Sequence, residues 1–146
     1  MSTLPLISQV SLYLLLAMIG LMVLVIGVWQ YRVLRGESLK NPDGSHDDWH
    51  AQKAHYGMAF ADVFVVCPVT LVGIGLVLAG SRWGFYLLTL SGAWLVWGNV
   101  MTTANSLRFE KPRIDLVWLV TFPLGGLIGL AWVVWTAIHF DRIFLP

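Results

Sequence analysis

The residues able to do chemistry gather between Ser45 and Pro68, a stretch that holds His46, His50, His55 and Asp62. Imidazoles and a carboxylate serve as proton donors and acceptors or as metal ligands. His55 and Asp62 are seven residues apart, two helical turns, so a continuous helix puts both on one face. The chemistry expected there is acid–base work, with Asp62 as acid or base and His55 assisting. The alternative is structural: Asp62 hydrogen-bonds a neighbouring amide or hydroxyl and fixes helix packing. His46 and His50 stand at i,i+4, a spacing that can place two imidazoles on one metal, and Asp47 could add a carboxylate. On a helix His55 points about 140° away from His50. The metal reading therefore rests on that pair alone, and the sequence names no cofactor.

These residues have to be positioned by a very apolar chain. Of 146 residues, 58% are hydrophobic and 12% charged, against roughly 25% charged in a soluble domain. The net charge of +1 argues against a nucleic-acid partner, which calls for a basic face. The lone cysteine, Cys67, excludes an internal disulfide and reads as a small buried hydrophobe. Four apolar segments follow one another, at about 8–29, 58–80, 83–104 and 116–140, and a bilayer core needs about 20 apolar helical residues. The expected fold is all-α, an integral membrane four-helix bundle in one domain. The first segment reads as a span, not a cleaved signal: no Lys or Arg precedes it and no small-residue cleavage site follows.

Between the first two spans, Asn41-Pro42-Asp43-Gly44 marks a turn. Ser45, with Asp48 three residues on, reads as a helix cap. Helix two is thus expected to start near His46, outside the bilayer, and to be kinked by Pro68. Gly80-Ser81-Arg82 allows only a tight reversal. Counting Lys and Arg sets the orientation. The longer connections carry Arg32, Arg35, Lys40, Lys53, Arg108, Lys111 and Arg113, and the opposite side carries Arg82 and Arg142. That asymmetry places both longer connections in the cytoplasm and both termini outside. Trp29, Trp49, Trp83, Trp118, Trp132 and Trp135 read as an aromatic belt. Gly125 and Gly129, Gly75 and Ala79, and Gly20 and Gly27 read as sites of close helix packing.

With this topology, Asp62, Asn99, Thr102, Thr103 and Thr121 share one level, roughly 6–9 Å below the inner surface. An ionisable residue at such depth is a functional candidate by default. Trp94 and Trp97 lie mid-membrane, where a belt does not explain them. They either line a ligand pocket above Asp62 or pack on glycines. His139 falls at the far end of helix four, a bilayer's thickness from His50 and His55, which argues against a two-histidine haem site.

Four helices, an outer N-terminus, a long cytoplasmic connection after helix one and about this length resemble the MAPEG family, trimeric membrane enzymes of eicosanoid and glutathione metabolism. Lys53-Ala54-His55 stands where that family often has Arg-Ala-His entering helix two. Pro112-Arg113 stands where it has Pro and Arg entering helix four. The resemblance implies an amphipathic ligand at a cytoplasm-facing site, with Arg113 at its edge. The family's Asn and Glu would fall on Gly57 and Phe60, and no arginine lies between Trp83 and Ala104, so glutathione chemistry is not implied.

The functional expectation is an inner-leaflet pocket that binds a small amphipathic or lipid-like molecule. Asp62 and His55 are its candidate catalytic residues. Asn99, Thr102, Thr103, Thr121, Trp94, Trp97 and Arg113 are its candidate binding residues. The expected partners are membrane lipids and further copies of the chain or a larger membrane complex. A non-catalytic subunit of such a complex is the rival reading, and an oligomeric transporter or channel the third.

Overall fold

The computed structural model describes residues 4–37, 46, 49–109 and 122–145, with side chains left aside at 49–52, 54, 105, 106, 108 and 109. Ser45, Asp47, Asp48, Arg113, Thr121 and the first residues of the expected fourth span lie outside the described residues. In chain order the elements are α1 (Leu6–Leu34), α2 (Trp49–Ala61), a π-helical turn (Asp62–Val66), α3 (Cys67–Leu78), α4 (Arg82–Phe109), α5 (Pro123–Ile138) and α6 (Phe140–Phe144). The fold is all-helical, with no β-strand among the described residues.

Two of these helices stop by the same device. Gly36 and Gly80 take positive φ, 88° and 77°. At α1 the Gly36 and Glu37 N–H groups bond the Val33 and Arg32 carbonyls, and at α3 Gly80 and Ser81 bond Val77 and Leu76. This is the Schellman closure that glycine permits, and it makes Gly80-Ser81 the tight reversal expected there.

The element bounds differ from expectation in three places. The helix of α1 does not stop at Trp29 but carries Gln30, Tyr31 and Arg32; Arg32 then pairs with Glu37 at 2.7 Å. Helix two is described from Trp49, three residues past His46, which is exposed and non-helical; residues 47 and 48 lie outside the described residues. Pro123 does not lie inside a helix but opens α5, after Phe122 as N-cap. At the first turn proline's missing N–H costs nothing.

Packing is set by small residues. A Cβ on Gly84 would stand 2.4 Å from the Val77 amide nitrogen and 2.7 Å from the Gly73 carbonyl, so α3 and α4 touch backbone to backbone. Gly92 and Gly129 do the same for α4 and α5: a Cβ on either would stand within 3.1 Å of the other's carbonyl oxygen. On α3 it is Gly73, not Gly75, that meets α4; Gly75 is exposed and open. Gly20 and Gly27 on α1 admit ordinary contact with Ile74 and Cys67. Cys67 is buried.

Trp132 and Trp135, expected in an aromatic belt, are core residues at 0% and 7% exposure. Phe85, Trp132 and Trp135 stack on one another with ring centroids 6.0–6.2 Å apart. Gly92 leaves room for the Trp132 indole, which no membrane surface can offer.

Leu6–Leu34 and His55–Leu78 are long and apolar enough to cross a membrane, by length and composition. Only 22% and 28% of their most apolar windows are buried within the chain. The aliphatic side chains of both helices therefore point mostly outward.

Candidate functional site

Pro68 shapes the site. Its ring clashes with the carbonyl four residues back and it offers no N–H. The helix does not simply kink but widens before it. Residues Asp62–Val66 form a π-helical turn, closed by the Cys67 N–H on the Asp62 carbonyl. Such widenings recur at functional sites, and this one begins at Asp62.

Two other helices reach the Asp62 carboxylate. Gln30 Nε2 on α1 donates to Oδ2 at 2.7 Å, and Trp94 Nε1 on α4 donates to Oδ1 at 3.4 Å. Both donors are neutral. Beside the carboxylate lies a cavity of about 180 Å³. From α1 it is lined by Ile26, Trp29, Gln30 and Val33; from the α2 side by His55, Met58 and Asp62. From α4 it takes Trp94, Leu95, Trp97, Gly98, Asn99 and Thr102, and Phe122 lies against it at the start of α5. The walls are thus apolar and aromatic, with few polar groups, as small-molecule sites are.

Asp62, His55, Asn99, Thr102, Trp94 and Trp97 all line this one cavity. Thr103 is half-buried on α4 and is not among the lining residues. Thr121 and Arg113 lie outside the described residues. The indoles of Trp94 and Trp97 sit 4.9 Å apart, tilted by 40°, and face the cavity instead of packing on α5 glycines. Asn99 and Thr102 do not bond Asp62. Their side chains donate to Leu95 and Gly98 carbonyls of their own helix, at 2.7 and 2.9 Å.

His46 is not helical, and the side chain of His50 and residues 47 and 48 between them lie outside the described residues. Among the described residues no three His, Cys, Asp or Glu side chains gather as a metal-binding group.

Gln30, Trp29, Met58 and Phe122 were missed by sequence reasoning. A signal existed for α1: Ile26, Trp29, Gln30 and Val33 fall at i, i+3, i+4 and i+7, one helical face. It becomes visible only when the helix is carried past its last apolar residue.

A second polar cluster closes the opposite end. His139 Nδ1 lies 2.9 Å from the Trp135 carbonyl and Nε2 2.9 Å from Ser8 Oγ. A carbonyl only accepts, so Nδ1 carries the proton and, in the neutral ring, Nε2 accepts from Ser8. Trp135 Nε1 donates to Ser11 at 2.9 Å. Ser8 and Gln30 are 22 residues apart on α1, about 33 Å of helix. His139 and His55 therefore serve opposite ends of the molecule.

No family model matches the chain, and neither does any curated protein or solved structure.

Proposed function

We propose that the chain is an integral membrane four-helix bundle whose Asp62 pocket binds a small amphipathic molecule. One observation carries this reading: a carboxylate held by two neutral donors borders a cavity with mostly apolar and aromatic walls. Membrane residence is supported by the outward-facing apolar helices, since a soluble core helix buries most of its apolar face.

The pocket draws on the C-terminal halves of α1 and α4, on the second half of α2 with the π-helical turn that follows it, and on Phe122 at the start of α5. That is the end joined by the two longer connections, where most Lys and Arg lie. The positive-inside rule makes this the cytoplasmic end. Should the protein be an enzyme, His55 and Asp62 are the pair an acid–base step would use. The described lining residues include no arginine, which gives no support to thiolate chemistry of the MAPEG kind. The exposed aliphatic faces of α1 and α3 also suit a second copy or a partner subunit, the rival reading.

Photolabelling tests the pocket. A short-chain alkyl alcohol bearing a diazirine, applied to the protein in maltoside micelles, is expected to label Met58, Trp97 or Phe122 saturably. Labelling that never saturates and spreads over exposed Leu14, Leu21 and Leu24 would remove the proposal.

A further inference from the structure

We infer that the pocket selects amphiphiles with a cationic ammonium head. This inference rests on the pocket being a ligand site, and it names the class of ligand. Asp62 supplies a carboxylate whose hydrogen-bond partners, Gln30 and Trp94, are both uncharged. Among the described lining residues there is no lysine or arginine, and His55 is the other titratable group. The indoles of Trp29, Trp94 and Trp97 border the same space.

A carboxylate beside several tryptophan faces is the arrangement that attracts an ammonium group, by charge and by the ring quadrupole. Desolvating a cation is costly unless such a counter-charge waits for it. An anionic head would meet the Asp62 carboxylate with no lysine or arginine among the described lining residues to offset it. Ile26, Val33, Met58 and Leu95 complete the walls with aliphatic surface for a short hydrocarbon tail. The head chemistry is shared by free alkylammonium compounds and by choline-type lipid headgroups.

Titration calorimetry in maltoside micelles decides the matter, with hexyltrimethylammonium, hexyl sulfate, uncharged hexyl glucoside and dihexanoylphosphatidylcholine as probes. Gly98→Leu, which fills the pocket, supplies the blank for partition into micelles. A Cβ at Gly98 meets nothing within 4 Å, so this variant is expected to fold. The ammonium probe is expected to bind well above that blank, and hexyl sulfate not at all. Asp62→Asn should weaken the ammonium probe roughly tenfold or more and leave hexyl glucoside unchanged. The asparagine keeps the carboxylate's shape, and the Gln30 amide can turn to accept from it. Trp97→Leu, a variant that leaves the Asp62 hydrogen bonds alone, should weaken the ammonium probe about two- to fivefold.

Binding of the phosphatidylcholine as well would point to a lipid headgroup, and its exclusion to a free alkylammonium; both support the charge preference. Equal affinity for cation and anion, or an ammonium affinity untouched by Asp62→Asn, would overturn that preference while leaving the pocket as a ligand site. If every probe behaves the same on wild type and on Gly98→Leu, the pocket reading fails too.

Discussion

Gly84→Ala is expected to destabilise the protein by about 2–3 kcal/mol or more. The added methyl would stand 2.4 Å from the Val77 nitrogen and 2.7 Å from the Gly73 oxygen. These are backbone atoms of α3, so no side-chain rotation relieves the clash. The two helices must separate, which breaks the backbone-to-backbone contact between them. Gly75→Ala is the control: that position is exposed and open, and alanine there improves helix propensity by roughly 1 kcal/mol. Thermal unfolding of the two variants in detergent checks the pair. Equal midpoints would mean that α3 and α4 do not meet at Gly84.

Trp132→Ala is expected to cost about 3–5 kcal/mol. The indole is fully buried and stacks against both Phe85 and Trp135, and its removal leaves a void that rigid helices cannot close. Trp132→Phe should cost much less. It keeps an aromatic ring in the stack, and the indole N–H that it deletes has no hydrogen-bond partner. Unfolding midpoints of both variants provide the measurement. Comparable losses from Phe and Ala would show that the indole nitrogen matters in a way this packing does not explain.

Much of the helical order was legible because apolar runs and glycine stops are local signals. The reversal at Gly80 follows from the single residue that tolerates its φ. The association of Asp62 with His55, Trp94, Trp97, Asn99 and Thr102 was legible because antiparallel helices of similar length bring fixed depths together. What the sequence hid were features that only tertiary contact decides. Gln30 looks like the first residue of a connection, yet α1 continues and carries it to Asp62. Trp132 and Trp135 sit near a span end in sequence but turn inward, because Gly92 opens a space for an indole. Pro68 signals disruption without saying its form, and a π-helical turn is one of several ways to accommodate it. Gly73 and Gly75 are alike in sequence, and only helix rotation makes one a contact and leaves the other exposed.

The most direct measurement compares saturable photolabelling by the alkyl diazirine alcohol in wild type, Gly98→Leu and Gly75→Leu. Both glycines have open space around a Cβ, but only Gly98 lines the cavity. The expected result is loss of saturable labelling in Gly98→Leu, with wild-type labelling in Gly75→Leu and no loss of thermal stability in either. Saturable labelling that persists in Gly98→Leu would contradict the assignment of the Asp62 cavity as a ligand site.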